Sequence, residues 1–233
     1  MEYDTKGKVL KKPVVWKDLY FYRKSDALYQ ITVEFCKRFL PAHGDRTVDQ
    51  MVQAARSGKQ NIVEGLADGM TSSEMQLKLL NVARASLKEL RADYDDYLLT
   101  RHLSSWESSH PRYDEMLKFC RTHNKVADYE PFFDKWNAEE LCNVALTLLH
   151  MVDKMMKTYL SGLEKQFVTQ GGIKERMYAA RTGYRKGQDE EMQRLREENK
   201  GMRQRVTILE QQIEMLLNEK RHLEVLLEQA RKK

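Results

Sequence analysis

The groups able to do chemistry are six histidines, His43, His102, His110, His123, His150 and His222, and three cysteines, Cys36, Cys120 and Cys142. A catalytic or structural metal needs ligands at short, recurring spacings. No HxH, HExxH or CxxC occurs, and Cys120 with His123 is a lone pair three residues apart. Neither a phosphate-cradling glycine loop nor a GxSxG elbow is present. Asp93, Asp95 and Asp96 are a dense acid group. On a helix, residues one and two apart do not share a face, so they read as surface charge. Three scattered cysteines read as reduced thiols, which predicts a cytoplasmic setting. The reading is therefore a non-enzyme with no metal and no cofactor.

What the sequence does specify is the set of elements. It has 233 residues, 32% of them charged and 41% hydrophobic, with four prolines and eleven glycines. Those proportions favour long helices and give no transmembrane window. The polar, lysine-rich start, with Glu2 and Asp4 and no apolar core, does not read as a signal peptide. Residues 1–13 read as a flexible N-terminus.

A helix is predicted from Trp16 through Leu19, Ala27, Leu28, Ile31 and Phe35, ending at Leu40-Pro41 with a turn at His43-Gly44. Two amphipathic helices follow, Thr47–Leu66 and Ser72–Leu99. Each is read as opening on a capping box, Thr47 with Gln50 and Thr71 with Glu74. Leu77, Leu80, Ala83, Leu87, Leu90, Tyr94 and Tyr97 make one stripe. Gly58 costs roughly 1 kcal/mol inside a helix, so close packing is its expected reason. Residues 101–136, rich in aromatics, form a long irregular connection expected to pack over one end of the bundle, with a short helix from Arg112 to His123. Asn137 with Glu140 then caps a long helix ending at Gln170-Gly171-Gly172. The fold class is all-α: an antiparallel four-helix bundle over 14–168, a basic hinge over 169–187 and a coiled coil over 188–233.

The coiled coil is a heptad pattern. Its d positions are Leu195, Met202, Leu209, Leu216 and Leu223; its a positions are Met192, Asn199, Val206, Ile213, Lys220 and Leu227. Glu191 facing Arg196, Glu198 facing Arg203 and Arg205 facing Glu210 favour a parallel pair, whereas Glu219 facing Glu224 does not, and Leu217 at e with Leu226 at g widens the seam and leaves more than two strands open. Before it, residues 165–187 carry six Lys/Arg and one acid. Lys174, Arg176, Arg181, Arg185 and Lys186, with tyrosines between, read either as a phosphate-backbone contact or as a solvated linker.

Ala54-Ala55-Arg56-Ser57, Asn61-Ile62-Val63-Glu64-Gly65 and Ala83-Arg84-Ala85-Ser86-Leu87-Lys88-Glu89-Leu90 together carry a resemblance over about residues 14–165. They resemble the bacterial four-helix-bundle family of proteins encoded in ribosomal-RNA intervening sequences and of accessory variability proteins of diversity-generating retroelements. The resemblance implies a ring-like pentamer and an accessory protein that binds RNA and a reverse transcriptase through basic surfaces. Candidate contacts on the bundle are then Arg56, Lys59, Lys78, Arg84 and Lys88. Arg84 could instead pair with Glu64 across a helix interface. Asn61, Glu64, Gly65, Ser86 and Leu87 read as bundle or subunit packing. The leading expectation is an oligomeric RNA- or reverse-transcriptase-binding adaptor; the alternative is a protein–protein scaffold without nucleic-acid contact.

Overall fold

Apolar stripes at helical spacing must be buried against one another, and that requirement organises this chain. The computed structural model describes residues 14–41, 46–69 and 71–231, with side chains to 221. The N-terminus read as flexible, the turn expected at His43-Gly44 and the heptad leucines Leu223 and Leu227 lie outside the residues or side chains described. Six α-helices and three 3-10 turns, with no strand, make up the described regular structure. The helices are α1 (Tyr20–Phe39), α2 (Arg46–Asp68), α3 (Ser73–Thr100), α4 (Tyr113–Thr122), α5 (Ala138–Gln170) and α6 (Ile173–Arg231). The chain divides into two units, Met1–Met177 and Tyr178–Lys233.

In the first unit, α2 packs along α3, α1 lies against α2 and α5, and α3 also meets α5. Their stripes fuse into one core that includes Leu28, Ile31, Phe35, Met51, Ile62, Leu80, Leu90, Tyr94, Leu148 and Val152. Each such side chain withdrawn from water contributes about 1.5–3 kcal/mol. Tyr94 is fully buried, and its hydroxyl donates to Thr32 Oγ1 at 3.0 Å. That bond satisfies a polar atom that would otherwise be costly to bury.

Several local expectations shift. The first helix begins at Tyr20; Trp16–Asp18 is a separate 3-10 turn, because Leu19 is extended. The cap of α3 is Ser72 and not Thr71. Ser72 Oγ accepts the Met75 amide at 3.1 Å, while Thr71 donates to the Asp68 carbonyl. Helix α2 opens at Arg46, so Thr47 is already helical. Asn137 does form a reciprocal box with Glu140, at 2.9 and 2.8 Å.

The 101–136 connection is folded. Trp106, Met116, Cys120 and Tyr129 are buried in the same core. Asn143 on α5 holds it, accepting the Trp106 amide at 2.7 Å and donating to the Ser104 carbonyl at 2.9 Å. Lys24 on α1 is 4% exposed, and its ammonium donates to the Cys120 and His123 carbonyls. Those are end-of-helix carbonyls of α4, left without partners along the helix itself. Gly171 ends α5 with φ +69°, a conformation that favours glycine. Residues 173–187, read from sequence as a hinge, are helical throughout, Gly183 and Gly187 included.

Candidate assembly and nucleic-acid surface

Residues 188–221 hold many Glu, Gln, Arg, Lys, Leu and Met, which lose little side-chain freedom in a helix. Within the second unit these residues keep α6 regular, and the heptad register survives as a stripe along it. Met192, Leu195, Met202, Val206, Leu209, Ile213 and Leu216 are each between 45% and 64% exposed. Asn199 lies on the same face and is exposed. Around the stripe, Glu191 and Glu198 reach only Arg194 within their own helix, at 3.8 and 4.0 Å. Arg196 and Arg203 make no ion pair among the described residues.

The basic run has two parts. Lys174 is exposed, and Arg176 is half-buried with its Nε donating to the Gly172 carbonyl at 3.4 Å; both belong to the first unit. In the second unit Arg181 and Arg185 are exposed and unpaired among the described residues, and Lys186 sits 3.9 Å from Glu190. Tyr178 and Tyr184 are 74% and 69% exposed, so their rings are open to stacking.

The cations on the first unit separate into engaged and free groups. Arg84 pairs with Asp153 on α5, Nε to Oδ1 at 2.9 Å, and not with Glu64, which is exposed. The stripe-edge position of Arg84 turns its guanidinium toward α5, whose place relative to α3 is a tertiary matter. Lys59 is bound to Asp26 of α1 at 2.9 Å and lies over the Tyr29 ring at 4.6 Å. Both are structural cations, already neutralised. Arg56, Lys78 and Lys88 are exposed. Arg84, Lys88 and Arg91 are brought together with Leu87, Leu149 and Asp153 around a cavity of about 50 Å³, too small for more than a water or an ion.

Asn61, Gly65, Ser86 and Leu87 lie where α2 crosses α3, whereas Glu64 is exposed. A Cβ on Gly58 would lie 2.6 Å from Leu87 Cδ2, and one on Gly65 would lie 3.2 Å from Leu79 Cβ and Leu80 Cγ. Ser57 and Ser86 share a hydrogen bond at 3.0 Å across the pair, and Asn61 donates to both the carbonyl and hydroxyl of Ser57. Small residues thus let two helices touch along their backbones.

Two concavities escape a reading by spacing. An open cleft of about 650 Å³ runs between α2 and α3, lined by Arg46, Asp49, Gln53, Ser57, Glu89 and Asp93 among others. Burial, with Asp96 and Glu89 close by, pushes the Asp93 carboxyl up. The second is about 270 Å³ and aromatic, formed by Trp106, Phe119, Phe132 and Trp136 with Arg112, Glu115 and Glu140 at its edge. Its rings were visible as an excess of aromatics in 101–136, but their convergence depends on how that connection folds back on α5. Arg112 fills part of the mouth, bonded to Glu140 and lying 4.7 Å from the Trp106 ring centre. Nothing in either place aligns a nucleophile with a base. Among the described residues no group of three or more His, Cys, Asp or Glu is placed to hold a metal ion, and no helix is long and apolar enough to cross a membrane.

No protein-family model matches the chain, and neither a curated protein nor a solved structure matches it.

Proposed function

We propose that this chain is a non-enzymatic oligomeric scaffold: an antiparallel four-helix bundle followed by a helix, α6, that pairs with α6 of a second copy as a parallel coiled coil. The observation that carries this reading is the exposed apolar stripe from Met192 to Leu216. The fourteen such side chains of a pair, each about half exposed beforehand, offer on the order of 10–20 kcal/mol on burial. That is enough to offset an association cost of about 4–15 kcal/mol. The unpaired Arg196 and Arg203 support it too, since they stand where a partner's Glu191 and Glu198 would meet them. Asn199 at an a position favours two strands in one register. Buried thiols outside any disulfide at Cys36, Cys120 and Cys142 suit a reducing, cytoplasmic setting.

The test is the mass of the intact protein by light scattering at micromolar concentration, with and without Leu209→Glu and Leu216→Glu. A multimer that falls to a smaller species on substitution is expected. A wild-type monomer would remove the scaffold reading. A substituted chain that still exceeds monomer mass locates a second self-contact on the bundle, as the resemblance to the pentameric family implies.

A second reading, an adaptor for RNA and for a reverse-transcriptase-type protein, is favoured by the exposed Lys174, Arg181 and Arg185 with Tyr178 and Tyr184 among them. On the bundle, Arg56, Lys78 and Lys88 remain open to phosphate, whereas Lys59 and Arg84 are already ion-paired. Affinity for RNA that falls steeply with salt is the expected result. Salt-independent binding, or none, would leave the scaffold alone.

A further inference from the structure

The heptad register of the apolar stripe can be carried back along the same continuous helix. Seven and fourteen residues before Met192 stand Arg185 and Tyr178, both at a; fourteen before Leu195 stands Arg181, at d. Within the second unit the seam therefore changes character. From Met192 onward it is apolar apart from Asn199 and Lys220. From Tyr178 to Arg185 it is cationic and aromatic, with no acid between 178 and 187. Arg181 and Arg185 are exposed and make no ion pair among the described residues. The first acids, Asp189, Glu190 and Glu191, come just after, and Glu190 already answers Lys186, which lies off the seam.

Pairing two copies through the apolar stripe brings four guanidinium groups to one seam with nothing to neutralise them. Like charges at core positions cannot close as leucines do. The helices must diverge there, or an anion must lie between them. Gly183 and Gly187, which meet nothing within 4 Å, make divergence cheap because glycine supports a helix poorly. We infer that the stretch from Tyr178 to Lys186 of two paired copies forms a forked polyanion clamp, closing on the phosphate backbone of a nucleic acid. Each copy supplies half of the cations, so neither holds the site alone. Tyr178 lines the fork and Tyr184 borders it, as stacking surfaces for bases. The same phosphate chemistry is offered by duplex DNA and by single-stranded RNA. A B-form major groove admits a helix, and continuous helices forking from a coiled coil can straddle it; a single strand would thread the fork. This inference rests on the coiled-coil pairing and gives the nucleic-acid reading a defined, two-copy site.

The test uses the full chain with a fluorescent short duplex DNA and a single-stranded RNA of the same length, titrated at several salt concentrations. In parallel, self-association is followed by sedimentation. Arg181→Leu with Arg185→Leu places leucine at d and a. It is expected to tighten self-association about tenfold, since repulsion is replaced by a core pair. The same change is expected to weaken nucleic-acid binding at least roughly hundredfold, with the salt slope on duplex falling from about −5 to about −2, because four of six phosphate contacts are lost. Opposite signs in the two measurements are what a solvated basic surface would not produce. Leu209→Glu with Leu216→Glu, which separates the copies, is expected to halve the slope. Whichever probe binds more tightly identifies the source of the backbone. Binding that is unchanged by the double leucine substitution, equal in the separated chain, or absent for both probes overturns the clamp. Self-association weakened by the leucines overturns it as well. Wild-type mass, read independently, reports on the pairing itself.

Discussion

Replacing Gly58 with alanine separates two effects of opposite sign. Gly58 is in the interior of α2 and buried. Alanine there should gain about 1 kcal/mol of helix propensity. The added Cβ, however, would stand 2.6 Å from Leu87 Cδ2 and 2.7 Å from Leu87 Cγ. Leu87 is itself 5% exposed, so its branch point has little room to yield. Overpacking of this kind costs about 1–3 kcal/mol. The contact is with Cγ as well as a methyl, so the larger half of that range applies and Gly58→Ala should destabilise by about 1–2 kcal/mol net. Gly162 on α5 is the internal control, because nothing lies within 4 Å of its Cβ position. Gly162→Ala should stabilise by up to about 1 kcal/mol. The decisive arm is Leu87→Ala, which alone costs about 2–5 kcal/mol. In that background the obstructing atoms are gone, so Gly58→Ala should change sign and stabilise. Urea unfolding followed by tryptophan fluorescence suits the measurement, since Trp16, Trp106 and Trp136 all lie in the first unit. A Gly58→Ala protein stabilised as much as Gly162→Ala, or no sign change with Leu87→Ala, would refute the close crossing of α2 and α3.

Other outcomes follow from the same core. Lys24→Met should destabilise the first unit by about 1–3 kcal/mol in the same assay, because it takes the ammonium donor from the Cys120 carbonyl, while the His123 carbonyl keeps the Tyr129 hydroxyl. A double-mutant cycle of Arg84→Ala with Asp153→Ala should give a coupling of about 0.5–1 kcal/mol, while the cycle with Glu64→Ala should give none. Stability should fall as pH rises above about 9: burial pushes the Cys120 thiol from its ordinary 9.0 up to about 12, so the folded chain keeps a proton that the unfolded chain releases. That contribution is full below about 9 and is lost at about 1.4 kcal/mol per pH unit up to about 12. Buried Tyr94 and Tyr129, also raised by burial, act in the same direction, and Lys24, lowered by burial, opposes them. Unfolding midpoints from pH 7 to 11 should show a shallower decline for Cys120→Ala than for the wild type.

Helical content was legible because its signals are local. The α3 stripe from Leu80 to Tyr97 is buried as spaced, and Asn137 caps α5 as its motif implies. Where two hydroxyls stand side by side, as at Thr71-Ser72, backbone geometry chooses the cap and sequence does not. Gly58 could be read as a contact point because glycine inside a helix is costly without one. The partners of Arg84 and Lys59 were not legible: Asp153 and Asp26 are remote in sequence and become neighbours only through the order in which helices stack. Lys24 gave no signal at all, since a lysine beside apolar residues ordinarily reaches water. The aromatic cavity was half legible, in composition but not in shape. For α6 the reverse holds: register is a property of spacing along one helix, so the face that carries the assembly proposal is written in the sequence itself.

The order in which α1 finds its neighbours has a consequence for synthesis. Helices α2 and α3 are adjacent in sequence and can zip together as they leave the ribosome. Helix α1 also packs against α5, with the Phe21 and Tyr159 rings tilted against each other at 5.3 Å between centres, and Lys24 donates to carbonyls of the later connection. The nascent chain must therefore carry an uncovered greasy groove until α5 emerges, and that interval is when a holdase chaperone or a slow codon stretch would matter most.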